Sequence, residues 1–465
     1  MFNMDMNTQF WVNVGEKKKL SNSKLIDFIE ECGFTRVKLS DTNYVLAKIN
    51  NNRLRLSTEG EITKLVKDYL LEKNELSLLE DYTKSLGSYI SPKKLELLNS
   101  IKLINDRDSK DDSNFYFSNC YCNVTADTIQ VLDYSQLKFM IWENRVLQRE
   151  FDVSDGEQGQ FEKFCMKISG NDQSRFIELK TIIGYLLHRS KVRGEAKSVI
   201  LYDKNMMMSN QAHGGTGKSL LAEAIKKCRE VEIFNAKDIK VGSWFINQRI
   251  NPTTDLIVYD DLKKGFGFEH FFSMITGGIE VEKKHQHSFY IEKLDSPKIL
   301  ISSNYYVKGP GGSSDERRRY EFEIENYYSE SFTPEDDFGN RFFDGWDIQE
   351  WNRFYCFMMR CTQEYLRRGL KQDLSASLKK VKFEQNTSVE FVKFADDYFE
   401  YNKKMDKREY LQIFKEFFPH YSTLSSHMFT KWIKDYSIRM GYAYADSSTG
   451  GDYFFELKKK EVSNG

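Results

Sequence analysis

The sequence has no apolar run long enough to cross a membrane. No stretch reaches the ~18 consecutive apolar residues that a membrane helix needs. The N-terminus, M-F-N-M-D-M-N-T, also lacks the basic-then-apolar profile of a signal peptide. We therefore expect a cytoplasmic protein without a membrane partner.

An excess of charge of either sign is also missing. The 68 Lys and Arg residues against 69 Asp and Glu residues leave a net charge of −1. The field of the whole protein therefore does not attract nucleic acid. Any contact with nucleic acid would have to come from a local basic surface, such as the lining of a channel.

The cysteines form neither a Cys-x-x-Cys pair nor a group with histidines at the spacing of a zinc site. Isolated cysteines of this kind are typical of reduced thiols in a protein core. We expect reduced and mostly buried side chains for all seven, which are Cys32, Cys120, Cys122, Cys165, Cys228, Cys356 and Cys361.

The length of 465 residues exceeds what one hydrophobic core supports, so we expect two to four domains. Near the N-terminus, the segment 25–34 predicts a helix that ends at Gly33. A strand over 44–49 with a hairpin turn after it, and then a helix over 61–71, are expected next. The charged run 105–114 predicts an exposed, solvated loop rather than a metal site.

Further along, the chain alternates between strand and helix signals. Residues 115–125 and 127–134 alternate like strands, and the apolar residues of 161–188 recur at the three- and four-residue spacing of an amphipathic helix. Such helices commonly precede a nucleotide-binding core. A strand over 198–203 then leads towards a glycine-rich loop.

That loop, residues 212–219, reads A-H-G-G-T-G-K-S and opens a predicted helix. The backbone N–H groups of such a loop can surround a polyphosphate, Lys218 can reach the β and γ phosphates, and the Ser219 hydroxyl can ligate Mg²⁺. The sequence therefore predicts ATP and Mg²⁺ as ligands. The predicted nucleotide-binding residues are Gly214, Gly215, Thr216, Gly217, Lys218 and Ser219.

The loop departs from the usual P-loop in two respects. Ala212 occupies the position of the first glycine in GxxxxGK[ST], which is a mild loss of backbone freedom. The lead from the strand is also longer than usual, because N-M-M-M-S-N-Q intervenes. Either the strand extends through 206–208 or the loop carries an insertion.

Two later apolar runs also end in polar residues. The segment 255–262, D-L-I-V-Y-D-D-L, is typical of a buried parallel strand whose carboxyl end faces a ligand. Asp260 would hold Mg²⁺ through water together with Ser219, and Asp261 would orient or deprotonate the attacking water, unless both merely end a strand. The strand over 298–304 ends at Asn304, which would sense the γ-phosphate or form a turn.

Between those two strands lies a predicted β-hairpin. Alternation in I-E-V-E and F-Y-I-E places Lys283, Lys284 and His285 at its tip. In a ring-shaped assembly, such tips project into the central hole and bind the phosphates of single-stranded DNA. The alternative is a solvated turn.

A glycine-rich loop then delivers Arg317, Arg318 and Arg319 just before an alternating strand. A guanidinium that reaches a neighbouring subunit's γ-phosphate stabilises the charge that develops in phosphoryl transfer. Three adjacent arginines cannot all reach one site, so at least one has a structural or surface role.

The C-terminal region predicts the outline of a winged helix. Amphipathic helices are expected over 407–419, ended by Pro419, and over 425–441, followed by a hairpin with the turn S-S-T-G-G. The second helix of such a module can enter a DNA groove, although many winged helices bind protein instead.

Five motifs in this order resemble the superfamily 3 helicases, the AAA+ replicative helicases of small DNA viruses, phages and mobile elements. They are G-G-T-G-K-S, D-D, G-G-I-E-V-E-K-K-H, I-S-S-N and the arginine segment. The tip K-K-H resembles that of polyomavirus large T antigen, and R-R-Y-E-F-E-I resembles the strand after the arginine finger in parvovirus and papillomavirus relatives. The chain is similar in particular to the helicase part of phage and plasmid primase–helicases of the poxvirus type. The resemblance extends over about residues 165 to 370.

The resemblance implies an α/β fold with an AAA+ P-loop ATPase core, a helical domain before it and a winged-helix-like domain after it. It also favours Arg318 as the arginine finger, with Arg317 and Arg319 as alternatives. The expected regions are a small α+β domain (1–90), a strand and helix linker region (91–165), the superfamily 3 AAA+ ATPase/helicase domain (166–330), a helical post-ATPase segment (331–375) and a winged-helix-like domain (376–465).

The implied activity is that of an ATP hydrolase and replicative DNA helicase of a phage or mobile element. A homohexameric ring would hydrolyse ATP between subunits, move 3′ to 5′ on single-stranded DNA and unwind fork duplex in a host cytoplasm. No primase carboxylate triad is evident in the N-terminal part, so a separate primase or polymerase is a possible partner. The alternatives are an AAA+ remodeller or loader, and an ATP-switched DNA-binding initiator or defence module without unwinding.

Overall fold

The computed structural model of the chain has a mixed α/β architecture with a central parallel sheet. The structure describes residues 9–39, 43–103, 107–191, 196–204, 216–239, 247–283, 288–370, 378–379, 382–384, 387–449 and 452–459. Within these ranges, no helix combines the length and the apolar character that a membrane crossing requires.

The N-terminal elements form a hairpin and a mixed sheet with helices against it. In chain order they are β1 (Trp11–Val14), β2 (Lys17–Leu20), α1 (Asn22–Glu31), β3 (Phe34–Lys38), β4 (Tyr44–Asn50), β5 (Arg53–Leu56), α2 (Glu59–Glu72), α3 (Leu76–Lys84), α4 (Leu86–Tyr89), α5 (Pro92–Leu95) and β6 (Ser100–Ile101). The predicted helix, strand and second helix are confirmed as α1, β4 and α2. Gly33 ends α1 as predicted, and its φ of +86° is a conformation that favours glycine.

A second sheet follows, in which three strands pair antiparallel and a fourth pairs parallel with its neighbour. One further strand of this segment joins the first sheet. The strands are β7 (Asp112–Phe117), β8 (Tyr121–Thr125), β9 (Ile129–Leu132), β10 (Ile141–Trp142) and β11 (Val146–Leu147). The sheet order is β11-β7-β8-β9, whereas β10 pairs with β5. This segment therefore links the two N-terminal sheets.

The prediction of an exposed loop over 105–114 is confirmed for 109–111 but was wrong for its flanks, where Arg107 and Asp108 form ion pairs inside the protein and β7 begins at Asp112; residues 105 and 106 lie outside the described residues. Asp108 is buried and pairs with Arg189 at 2.6 Å, and Arg107 pairs with Asp255 at 2.7 Å. Burial alone would raise the pKa of the Asp108 carboxyl, but the charges of Arg189, His188 and Arg229, together with the hydrogen bonds from Arg189, hold that pKa below its ordinary value. The run thus supplies buried ion pairs between the second sheet and the core that follows it.

The remaining elements up to the C-terminal module build the central sheet and its helices. They are α6 (Gln160–Ile168), α7 (Gln173–Leu187), β12 (Ser198–Asp203), α8 (Lys218–Lys226), β13 (Val231–Asn235), β14 (Leu256–Asp260), α9 (Phe272–Thr276), β15 (Ile279–Val281), β16 (Phe289–Ile291), β17 (Lys298–Ser303), α10 (Ser313–Glu316), β18 (Arg319–Ile324), α11 (Pro334–Phe338) and α12 (Ile348–Arg368). Short 3₁₀ helices lie at Tyr134–Gln136, Glu143–Arg145, Ala236–Asp238, Phe268–Phe271 and Pro419–Tyr421.

The central sheet has the order β13-β14-β17-β12-β18, and all neighbouring strands are parallel. One face packs Val199 and Leu201 against α7, α8 and α12, and the other packs Ile200 and Tyr202 against the segment from α9 to β16. Burial on both faces explains the nearly continuous apolar runs of these strands. The predicted strand over 198–203 is confirmed, and those over 255–262 and 298–304 are confirmed with shorter bounds, since β14 ends at Asp260 and β17 ends at Ser303.

The predicted hairpin over the I-E-V-E and F-Y-I-E segments is also confirmed, because β15 and β16 pair antiparallel. The helical prediction for 161–188 is confirmed as two helices, α6 and α7. All seven cysteines are free, and five of them are buried, as predicted.

From Thr387 onward, the described residues of the C-terminal module form a three-stranded sheet and three α-helices. The elements are α13 (Val389–Tyr398), β19 (Met405–Asp406), α14 (Lys407–Phe417), α15 (Ser426–Arg439), β20 (Tyr442–Thr449) and β21 (Asp452–Lys459), with the sheet order β19-β21-β20. The two predicted helices and the hairpin are confirmed. The predicted turn began too early, because Ser447, Ser448 and Thr449 still pair with β21.

Candidate functional site

Three strands of the central sheet end in polar residues at one edge. β12 ends at Asp203, β14 ends at Asp260, and β17 ends at Ser303, with Asn304 after it. Because these strands run parallel, their carboxyl ends share the edge at which open α/β sheets bind ligands.

The helix α8 begins at this edge, with Lys218 and Ser219 in its first turn. Gly217, the residue before it, has a φ of +108°, which favours glycine. A Cβ atom at this position would also lie only 2.6 Å from Cζ of Phe164. Glycine is therefore required here for two reasons. The unpaired backbone N–H groups at the start of a helix form an anion site.

The Lys218 ammonium donates to two side chains. One is the Oδ2 atom of Asp203, and the other is the Oδ1 atom of Asn304, at 3.0 Å. The buried Thr216 hydroxyl donates to Oδ1 of Asp203. Sequence reasoning missed Asp203, although its position as the last residue of the strand before the P-loop was a usable signal.

A hydroxyl and a carboxylate meet beside the lysine. The Ser219 Oγ atom donates to Oδ2 of Asp260 at 3.3 Å, and the Ser302 hydroxyl donates to Oδ1 of Asp260. Hydroxyl and carboxylate oxygens are the hard ligands that Mg²⁺ prefers, and this ion usually takes its other ligands from water and phosphate. The two predicted metal residues, Ser219 and Asp260, therefore lie together in an arrangement that fits Mg²⁺.

Asp261 adopts an unusual backbone conformation next to this pair. Its φ is +59°, and its backbone N–H donates to Oγ of Ser302 at 2.8 Å. The carboxylate accepts a hydrogen bond from Nδ2 of Asn304 at 3.1 Å and pairs with Lys237. Non-glycine residues in this region of backbone space cluster at functional sites. Sequence reasoning missed Lys237, which no local pattern distinguishes from an ordinary surface lysine.

The three arginines differ sharply in their surroundings. Arg319 is 1% exposed. Its guanidinium pairs with Glu321 at 3.0 Å and with Asp315 at 3.1 Å, and it donates to the Val307 carbonyl. Arg319 is therefore held inside its own chain.

Arg318 and Arg317 lie nearer the surface. The Arg318 guanidinium lies 4.6 Å from the centre of the Phe272 ring and donates to the Ser314 carbonyl at 2.6 Å. Arg317 is exposed. Among the three candidates for the finger, these two have guanidinium groups outside the core.

The hairpin residues are described only in part. The half-buried Lys283 donates from its ammonium to Oδ1 of Asn251, and burial lowers the pKa of this ammonium. The other predicted DNA-binding residues, Lys284 and His285, lie outside the described residues. The same holds for two of the P-loop glycines, Gly214 and Gly215.

Comparison with known proteins gives no close relative. No protein-family model matches the chain, and no curated protein matches it. The A-form apo structure of the NrS-1 C-terminal region is 10% identical, over 94% of this chain and 99% of that chain, with a TM-score of 0.44. A second structure of that region, residues 305–718, is 12% identical, over 93% and 98% of the two chains, with a TM-score of 0.43.

A third solved structure, JCV helicase with a bound acetamide compound, is 12% identical. The similarity covers 51% of this chain and 64% of that chain, with a TM-score of 0.27. All of these TM-scores lie below 0.5, so they identify neither a family nor a function for this chain.

Proposed function

We propose that this chain is an ATP-dependent DNA helicase. The observation that carries the proposal is the meeting of five predicted site residues at one edge of a parallel sheet. Long stretches of sequence separate them, and the fold brings them together beside the start of α8. These residues are Lys218, Ser219, Asp260, Asp261 and Asn304.

Each residue has a role in the proposed hydrolysis. Lys218 and the first N–H groups of α8 bind the phosphates of ATP, and Ser219 and Asp260 hold Mg²⁺. When bound, Mg²⁺ would neutralise charge on the phosphate oxygens. Asp261 orients the attacking water or accepts its proton, and Asn304 senses the γ-phosphate.

The finer features of the proposal come from the motif resemblance. A homohexameric ring of a phage or mobile element surrounds single-stranded DNA, moves 3′ to 5′ and unwinds fork duplex, with a separate primase or polymerase as a possible partner. Arg318 reaches into the neighbouring subunit's site, as an arginine finger does in other phosphoryl-transfer enzymes. Lys283, Lys284 and His285 bind the DNA backbone.

Two other functions fit the same nucleotide site. An AAA+ remodeller or loader would move a protein, and its hairpin tip would not need positive charge. An ATP-switched initiator or defence module would bind DNA without unwinding it. Both carboxylates and a surface arginine are available for hydrolysis, which favours an active enzyme over a switch.

The first experiment measures ATP hydrolysis with and without single-stranded DNA, and then fork unwinding. We expect DNA to stimulate hydrolysis and Lys218→Ala to abolish it. Lys226→Ala is the matched control, because it removes an exposed lysine from the opposite end of the same helix. Undiminished turnover in Lys218→Ala would refute the site. Imaging with an ATP analogue and single-stranded DNA tests the ring, since a six-membered ring around DNA is expected.

A further inference from the structure

The buried carboxylate of Asp203 accepts hydrogen bonds from Thr216 and Lys218, the two P-loop side chains that a bound phosphate would also need. Asp203 is 4% exposed. One of its oxygens accepts the Thr216 hydroxyl, and the other pairs with the Lys218 ammonium. The lysine side chain is itself largely buried, with 11% exposed.

The backbone keeps Asp203 in this position. It is the last residue of β12, paired in register with Ile324 of β18, in the interior of the sheet. The Lys204 N–H that follows donates to the Ile324 carbonyl at 3.0 Å. The carboxylate therefore belongs to a rigid strand end and faces a lysine at the start of a helix.

A carboxylate oxygen and a phosphate oxygen bind the ammonium of a lysine in the same way. Each is an anionic acceptor that forms short charge-assisted hydrogen bonds with an ammonium. A polyphosphate at the start of α8 needs Lys218 as a donor, and Asp203 already holds that donor. The second acceptor of Lys218, the Asn304 amide, is neutral and does not compete by charge.

We propose that Asp203 is a built-in competitor of the nucleotide phosphates for Lys218 and Thr216. In the empty site it compensates the lysine charge, and nucleotide must displace it from the lysine. The displaced carboxylate remains buried near phosphate, where its own charge opposes binding. Asp203 thereby weakens nucleotide affinity and favours release of product. This inference rests on the proposed function of the site as an ATPase site.

The test compares nucleotide binding by the full-length wild-type chain and by Asp203→Asn. The amide has nearly the shape of the carboxylate and still offers an acceptor oxygen, but it carries no charge. We expect ADP and Mg–ATP to bind about tenfold more tightly to the variant. The KM for ATP falls by a similar factor, and kcat does not rise. Unchanged or weaker binding would overturn the inference.

Glu325→Gln is the matched control. It removes a carboxylate at the end of the neighbouring strand, where the partner is Lys204 rather than the P-loop lysine. We expect nucleotide affinity equal to that of the wild type. If both variants tighten binding equally, the effect comes from the general loss of negative charge, and the specific competition is refuted. Asp203→Ser, also uncharged, serves as a second test should the Asn variant fold poorly, as monitored by thermal melting.

Lysine acylation gives a measurement that does not depend on nucleotide. In the empty wild-type chain, the ion pair should protect Lys218 from acylation, read peptide by peptide by mass spectrometry. Asp203→Asn should raise the rate at Lys218 several-fold, with Lys226 as the internal reference. An unchanged rate would show that the pair does not hold the lysine, and would overturn the inference.

These measurements also separate the two proposals. If the wild type binds ATP, Lys218→Ala does not, and Asp203→Asn behaves like the wild type, the competition fails while the nucleotide site stands. If the wild type binds no ATP, the ATPase proposal fails and the competition fails with it. The acylation result then reports on the ion pair alone.

Discussion

The Asn304 side chain accepts a hydrogen bond from the Lys218 ammonium at 3.0 Å. The same amide donates to Asp261 at 3.1 Å. One uncharged side chain thus connects the lysine proposed to bind phosphate with the carboxylate proposed to act on water. A change at the phosphate can reach the carboxylate through a single residue.

Asn304→Ala should separate nucleotide binding from hydrolysis. Lys218 keeps its charge, so ATP affinity should change little, whereas kcat should fall about a hundredfold because one positioned donor is lost. The measurements are nucleotide titration and steady-state turnover. Asn304→Asp sharpens the test, since it replaces the donor to Asp261 with a second carboxylate. Full activity in that variant would contradict the proposed link.

The central sheet was predictable because its evidence is local. β12, β14 and β17 are buried on both faces, which requires continuous apolar runs, and each run ends in a polar residue. Predicted and observed bounds coincide for β12, at Ser198–Asp203. The meeting of Lys218 with Asn304, 86 residues apart, followed from the rule that parallel strands end at one edge.

The prediction of exposure failed for Arg107 and Asp108 because their partners are distant in sequence. Asp108 pairs with Arg189, 81 residues away, and Arg107 pairs with Asp255, 148 residues away. A run of charges usually predicts a solvated surface. Only the folded chain brings opposite charges to these residues, so no local sequence pattern predicts their burial. The ion pair of Lys237 with Asp261 was not predicted for the same reason.

If Arg318 is the finger, Arg318→Ala should bind ATP and assemble, but its hydrolysis should fall about a thousandfold, because the proposed finger stabilises charge in a neighbouring site. Mixing this variant with Lys218→Ala should restore activity, since each subunit supplies what the other lacks. Turnover is measured across mixing ratios. No recovery at any ratio would argue against a shared site. Arg317→Ala is the exposed control, and loss of activity in that variant alone would move the finger to Arg317.

Arg319 should instead determine stability. Its removal takes one guanidinium away from two buried carboxylates, Asp315 and Glu321. Glu321 keeps the Tyr202 hydroxyl and the more distant Lys382 ammonium. Breaking a buried ion pair from one side costs about 3–5 kcal/mol. Arg319→Met should therefore lower the free energy of unfolding by roughly that amount in denaturant titration. A stable but inactive variant would contradict this assignment.

The hairpin can be tested through the salt dependence of DNA binding. If Lys283 and Lys284 contact phosphates, each alanine substitution should lower the slope of log affinity against log salt by about 1. The double variant should lose fork unwinding far more than ATP turnover. Lys283 is the more demanding test, because its ammonium already donates a hydrogen bond to Oδ1 of Asn251 in the free chain. Full unwinding by the double variant would remove the hairpin from the mechanism.

Glu230 should make stability depend on pH. Burial, reinforced by the nearby Asp255 charge, raises the pKa of Glu230 to about 7. The pKa of a glutamate in an unfolded chain is about 4.3. The folded chain therefore binds an extra proton between these values, and this contribution to stability is present at low pH and lost as the pH rises through about 7. Glu230→Gln removes the titration. We expect the variant to gain stability over the wild type at pH ~8 and to lose that advantage towards pH ~4, as measured by denaturant unfolding across the range. A difference that stays constant with pH would contradict the raised pKa.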